Sequence, residues 1–158
     1  MTVDPTAIVD VRLTVNSAVR QATVPARTTA AGLLRDHLGL TGTHTACEHG
    51  VCGSCTILVD GASARSCLMF AAQLDGCAVT TVEGLATDGE LNDLQSACLE
   101  THAFQCGFCT PGVLIVATEL LAQNPSADEA EIREGLAGNA CRCTGYESIV
   151  EAVLRARR

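Results

Sequence analysis

Thr45-Ala46-Cys47-Glu48-His49-Gly50-Val51-Cys52-Gly53-Ser54-Cys55 sets three cysteines with four and then two residues between them, in a stretch that follows neither a helical nor a strand period. A fourth cysteine, Cys67, follows a predicted hairpin whose first strand runs from Thr56 to Asp60 and whose turn is Gly61-Ala62. Gly50 and Gly53 allow torsions closed to other residues, so the loop can wrap a bound group and aim backbone N–H groups at sulfur. The chain on either side supplies the scaffold. Val11 to Asn16 alternates apolar and polar residues as a half-buried strand does, Asn16-Ser17 reads as a turn, and a second strand covers about Arg20 to Val24. Thr28-Thr29 can cap a helix that carries Ala30, Leu33, Leu34 and Leu38 on one side, and Ala78 to Val82 reads as a further strand.

From about Glu83 the period becomes helical, with four segments separated by start and stop signals. The first places Leu91, Leu94, Cys98 and Thr101 on one stripe. The second takes Thr110 as N-cap and Pro111 at the first helical position, buries Val113, Val116, Ala117 and Leu120, and stops at Asn124-Pro125. Ser126 to Glu129 reads as a capping box for the third, which ends where Gly138-Asn139 can take positive φ. Thr144 to Glu147 reads as another capping box. It opens a last helix with Ile149, Val150, Val153 and Leu154 inward and a basic end of Arg155, Arg157 and Arg158. The class is therefore α+β, with a β-rich half over 1–83 and a helical half over 84–158. No low-complexity linker separates the halves, which predicts that they pack closely.

Composition narrows the chemistry. The 158 residues are 47% hydrophobic, enough for a compact core, and carry a formal net charge of −8. That charge, with 3% aromatic residues and no Trp, argues against nucleic-acid binding, which wants basic grooves and stacking rings. Mean hydropathy is positive, but no apolar run reaches the roughly 20 residues of a membrane span. Met1 to Asp10 has neither a basic n-region nor an apolar h-region, so the expectation is a cytoplasmic, reducing compartment. There, ten cysteines read as metal ligands before disulfides.

Cys47, Cys52, Cys55 and Cys67 match a plant-type [2Fe-2S] spacing, with a four-cysteine zinc site as the competing reading. A second set joins Cys106 and Cys109, two residues apart in spacing, to Cys141 and Cys143, one apart. Residues two apart on a helix point to opposite sides, so Cys141 and Cys143 can share a centre only from the turn before the last helix. Helix N-termini beside the two pairs would favour an anionic centre, although a zinc knuckle fits this set as well. Cys77 and Cys98 read as packed apolar residues. His37 and His102 are placed on helices, while His44 and His49 flank a region whose cysteines already complete a quartet, so no Rieske site is read. Neither a phosphate-binding glycine loop nor a nucleophile elbow nor a catalytic triad is present, and no residue is read as catalytic.

The Thr45–Cys55 block, with Gln105-Cys106-Gly107-Phe108-Cys109-Thr110-Pro111-Gly112 and Gly138-Asn139-Ala140-Cys141-Arg142-Cys143-Thr144-Gly145-Tyr146, resembles the small iron-sulfur subunit of xanthine oxidase-type molybdenum hydroxylases. Carbon monoxide dehydrogenase and N-heterocycle dehydrogenase small chains are of this kind, and the resemblance covers nearly the whole chain. It implies a β-grasp ferredoxin domain followed by a four-helix-bundle domain. Each would hold one [2Fe-2S] cluster, the first on Cys47, Cys52, Cys55 and Cys67, the second on Cys106, Cys109, Cys141 and Cys143. The second set on its own would otherwise stay open to zinc. The resemblance also implies a large partner subunit with molybdopterin, commonly the cytosine dinucleotide form, and a medium partner subunit with FAD. These would assemble as a heterotrimer or a dimer of heterotrimers. Electrons would run from molybdenum through the helical-domain cluster and then the ferredoxin-domain cluster to flavin. A free-standing ferredoxin-type carrier is the alternative.

Gln105 and Cys143 occupy the positions that approach the pterin in this family. Gln105 would hydrogen-bond it through the amide, and Cys143 would be both ligand and contact. The substrate, whether N-heteroaromatic ring, purine, aldehyde or carbon monoxide, would meet molybdenum on another polypeptide. Two positions depart from the family pattern, Ala46 where Gly is common and Ser54 where Ala is common, and neither removes a ligand. A hydroxyl donating toward the cluster would raise its potential. Ser54→Ala is therefore expected to lower the midpoint potential of the first cluster, and an unchanged potential in a redox titration would refute that role.

Overall fold

The computed structural model describes Asp4 and residues 7–157, so Arg158 and most of the stretch before Ala7 lie outside the described residues. Strands β1 (Ile8–Val15) and β2 (Ala18–Pro25) pair antiparallel, Val15 opposite Ala18. Asn16 and Ser17 take φ of 49° and 68° between them, the two positive torsions that a two-residue hairpin turn with the native twist requires. Strands β3 (Thr56–Val59) and β4 (Ala62–Arg65) form a second hairpin. Its turn is Asp60-Gly61 rather than Gly61-Ala62, because Asp60 and Gly61 hold the positive torsions and Ala62 is already paired with Val59. Strand β5 (Ala78–Thr80) lies between the hairpins, parallel to β1 and antiparallel to β3. Among the described residues the sheet order is β2-β1-β5-β3-β4. The expected strand to Val82 stops at Thr80 because Val82–Gly84 turns into a 3-10 segment.

Helix α1 (Ala30–Gly32) starts at Thr29, whose hydroxyl accepts from the Gly32 N–H at 3.0 Å, and widens into a π turn over Leu33–His37. It seals the sheet. Val11, Leu13, Val15, Val24, Leu33, Leu34, Ile57, Leu74 and Val79 form one buried cluster. Each such side chain contributes about 1.5–3 kcal/mol on burial.

The helical half contains α2 (Asp93–Glu100), α3 (Thr110–Gln123), α4 (Glu129–Leu136) and α5 (Glu147–Arg155). Their shared core includes Leu94, Cys98, Val113, Leu114, Ile132, Leu136, Ile149, Val150 and Val153. Leu91 precedes α2 and is exposed, so the expected stripe begins at Leu94; Asn92 caps α2 reciprocally with Gln95. Three other caps differ from expectation. Cys109 holds the N-cap of α3, which leaves the Thr110 hydroxyl buried and without a partner. Asp128, a stronger acceptor than Ser126, caps α4: its carboxylate accepts from Glu131 N at 2.9 Å while Glu131 accepts from Asp128 N at 2.7 Å. Tyr146, at φ 71°, precedes α5, and the Thr144 hydroxyl accepts from Tyr146 N instead of capping the helix.

Helix α3 joins the halves. Pro111 to Ala117 are all buried because α3 packs on β3 and β4 along one side and on α2 and α4 along the other. A helix apolar all round requires such double cover. At its first turn the approach is backbone to backbone: a Cβ on Gly112 would stand 2.2 Å from Gly53 O. Among the described residues no helix is long and apolar enough to cross a membrane. Gly112→Ala is expected to destabilise the chain by about 1–3 kcal/mol through overpacking, read as a lower urea midpoint. Gly135→Ala, where the added Cβ meets only the Leu120 side chain at 3.2 Å, should leave the midpoint unchanged or higher, since Ala favours a helix interior by about 1 kcal/mol.

Candidate metal centres

The first cysteine loop is bent by Gly50 at φ 83° and Gly53 at φ 75°, as their positions in the sequence predicted. The missing side chain of Gly50 leaves room for Leu68, whose Cδ1 would lie 2.4 Å from an added Cβ. Cys52 N–H points at Cys47 Sγ, 3.4 Å away. On the other side, Ser66 fastens the 3-10 turn that carries Cys67: its N–H and hydroxyl both donate to Cys55 O, at 3.3 and 2.7 Å. The quartet thus gathers as two pairs. Cys55 and Cys67 face each other inside the protein, and Cys47 and Cys52 stand half-exposed at its edge.

Environment separates the pairs chemically. Backbone N–H groups, first that of Cys52 and then that of His49, stabilise the Cys47 thiolate and bring its pKa down to about 6. Burial, with the adjoining Cys55 thiol, pushes Cys67 up to about 11.

The second quartet repeats the arrangement. Cys106 and Cys143 are exposed with sulfurs 3.5 Å apart, while Cys109 is buried beside half-buried Cys141. Cys109 is pushed up to about 12 by burial, and Cys106 is lowered chiefly by the Phe108 N–H. Burial acts upward on Cys141, but hydrogen bonds from the Thr144 hydroxyl and from the N–H groups of Cys143 and Thr144 outweigh it and lower the pKa. Cys141 and Cys143 do sit in the turn before α5, held by Tyr146. The phenol oxygen accepts from Cys141 N at 2.8 Å and donates to Asn139 O at 3.1 Å. Gln105 is exposed next to Cys106.

The remaining candidates stay outside both quartets. Cys98 is buried in the helical core, and Cys77 lies half-buried near Gln73 O and Asp75 O. His44 Nδ1 donates to Phe108 O at 2.8 Å and its ring lies 5.0 Å from that of Phe108; His49 donates to Cys47 O. His102 belongs to the turn after α2, with φ 51°, and not to a helix. Among the described residues no three His, Cys, Asp or Glu side chains are placed to hold one metal ion. Thiols gathered in pairs suit a two-iron group, in which each iron takes two thiolates, better than a single tetrahedral zinc with four sulfurs around one point.

Sequence reasoning missed the contacts that bind one quartet to the other. Gly138 and Asn139 do not take positive φ. Gly138 O accepts from Arg65 Nη2 at 2.7 Å, Asn139 Nδ2 donates to Gly53 O at 3.1 Å, and Ala140 N donates to Cys52 O at 2.9 Å. Three consecutive residues ahead of Cys141 therefore each bond to the first half. Their place directly before a cysteine motif was the available signal, and a helix stop explained the same letters equally well. Were both quartets to hold metal, Cys77 and Cys98 would be the thiols left free. Cys98 is 7% exposed and pushed up to about 11 by burial, so about a thousandth of it is thiolate at pH 8. Iodoacetamide at pH 8 is expected to label Cys77 and spare Cys98 in the loaded chain, and mass spectrometry of the peptides reads the result.

The chain is similar to known iron-sulfur proteins. The family model described as "2Fe-2S iron-sulfur cluster binding domain" matches residues 13–98, and the one described as "[2Fe-2S] binding domain" matches residues 81–154. The nicotine 6-hydroxylase small subunit of Paenarthrobacter nicotinovorans is 55% identical over 98% of this chain and 93% of its own. Caffeine dehydrogenase subunit gamma of a Pseudomonas species is 52% identical over 90% of this chain and 87% of its own. The crystal structure of quinoline 2-oxidoreductase from Pseudomonas putida 86 contains a chain that superposes with a TM-score of 0.92 at 50% identity, over 93% of this chain and 91% of that one. Paired thiols in two cysteine loops, two [2Fe-2S] domain matches and relatives aligned over nearly their full length lead to one assignment: the chain belongs to the small iron-sulfur subunits of the xanthine oxidase family of molybdenum hydroxylases.

Proposed function

We propose that this chain is the electron relay of a molybdenum hydroxylase or dehydrogenase complex, passing electrons from a molybdopterin centre in a large subunit to FAD in a medium subunit. Cys47, Cys52, Cys55 and Cys67 hold one [2Fe-2S] cluster in a β-grasp domain over 1–83. Cys106, Cys109, Cys141 and Cys143 hold the other in a four-helix-bundle domain over 84–158. When bound, each cluster supplies one-electron chemistry and carries a net negative charge. The residues of this chain then provide position, exposure and hydrogen bonds.

One observation carries the reading: the two cysteine loops are joined directly, by Ala140 N donating to Cys52 O at 2.9 Å, one residue before Cys141. A carrier that shuttles between separate proteins needs a single exposed centre. Two centres in hydrogen-bonded loops, each with an outer edge, suit a series connection between two partners. Gln105, Cys106 and Cys143 are exposed at the end covered by the molybdopterin subunit, which binds the cytosine dinucleotide form and assembles in a heterotrimer or dimer of heterotrimers. There the Gln105 amide donates to the pterin, and Cys143 is both ligand and contact. Val51 and Leu68, exposed at 70% and 60% around the first loop, offer apolar surface to the FAD subunit. The compartment is the cytoplasm, and the substrate is chosen on the large subunit.

Purified complex is expected to contain about four iron and four sulfide per copy of this chain, with little zinc. Replacing Cys106 and Cys143 by serine should abolish one of two EPR signals and preserve the other. Colourless protein, or both signals surviving that double replacement, would overturn the reading.

A further inference from the structure

We propose that Arg65 is a fixed cation at the seam between the two clusters, placed to raise their reduction potentials and to hold the two loops together. The proposal rests on the assignment of the quartets to [2Fe-2S] clusters.

Arg65 ends β4, two residues before Cys67, and its half-buried side chain crosses into the helical half. Nη1 donates to Thr56 Oγ1 at 2.5 Å and Nη2 donates to Gly138 O at 2.7 Å. Thr56 follows Cys55, and Gly138 stands three residues before Cys141, so one guanidinium spans segments that end on ligands of both quartets. The Thr56 hydroxyl passes the polarisation on, donating to Gly53 O at 2.5 Å, the carbonyl that also accepts from Asn139 Nδ2. Hydrogen bonds in such a chain strengthen one another away from bulk water. Space for the cation is reserved as well, because a Cβ on Gly138 would lie 2.6 Å from Nη2.

Both partners of the guanidinium, a hydroxyl and a carbonyl, are neutral, so neither cancels its charge. Reducing either cluster adds one negative charge to a centre already negative, and a nearby cation at a partly buried site favours the reduced state. Arg also differs from Lys here. Its planar fork serves two acceptors in different directions, whereas an ammonium brings the same charge without the fork. Charge and geometry can therefore be separated by substitution.

The test compares wild-type, R65K and R65M chains in the purified complex by iron and sulfide content and by EPR-monitored redox titration. R65M is expected to retain four iron and to shift both midpoints negative, by at least a tenfold change in the equilibrium constant for reduction, or about 59 mV for one electron. R65K should stay near wild type. Wild-type potentials in R65M, or equal shifts in R65K and R65M, would overturn the role of the charge. If R65M does not load, G138A keeps the charge in the chain but pushes the guanidinium off the seam. It should show the same negative shift, and unmoved potentials there would overturn the proposal. Failure of the underlying assignment looks different: the wild-type complex itself would lack two [2Fe-2S] signals.

Discussion

Between the two halves of this protein a backbone carbonyl meets a helix start with no side chain in the way. Gly53 O occupies the space that a Cβ on Gly112 would need, and Gly112 lies in the first turn of α3, where N–H groups lack intrahelical partners and the helix dipole favours an acceptor. The same carbonyl accepts from Thr56 N at 3.1 Å, Thr56 Oγ1 at 2.5 Å and Asn139 Nδ2 at 3.1 Å. Concentrating donors on one atom fixes the first cysteine loop against the helical half. From that fixed point follow the burial of Asn139 and the bond from Ala140 to Cys52, and Cys109 and Cys141 stand together on the helical side of the seam.

Each quartet is graded from wet to dry. Cys47 and Cys52, like Cys106 and Cys143, reach the surface, whereas Cys55, Cys67 and Cys109 are buried. Backbone donors stabilise the thiolates of Cys47 and Cys106 at the outer edges, and burial disfavours those of Cys67 and Cys109 inside. A metal held there would have to supply the stabilisation that the interior withholds, since thiolates are the form that ligates. Fixed N–H dipoles and a shallow outer edge are suited to a centre that exchanges electrons across a subunit boundary without moving.

The bend of the first cysteine loop was legible because it is a local demand: Cys47, Cys52 and Cys55 turn within one loop, and glycine at 50 and 53 supplies the positive torsions that the turn needs. Hairpins and buried stripes were legible for the same reason, through period and turn chemistry. Caps were read less well, since Ser126 and Thr144 satisfied a local pattern while Asp128 offered a charged acceptor and Tyr146 was drawn to the Cys141 amide. Leu114 and Ile115 escaped the expected stripe of α3 because a one-sided period cannot reveal a helix covered on both sides. Arg65 and Asn139 were invisible as partners, being 73 and 86 residues from the carbonyls they bind. Nothing in the chain near either one encodes that distance.

The double cover of α3 also bears on how such a chain matures. Synthesis runs from the N-terminus, so β3 and β4 leave the ribosome before the helix that walls them, and the Cys52 and Gly53 carbonyls wait for residues 139–140. The first cysteine loop therefore gains these contacts only after residues 139–140 have been translated. Two cysteine quartets that are distinct on the finished molecule thus draw on the same late-made stretch of chain.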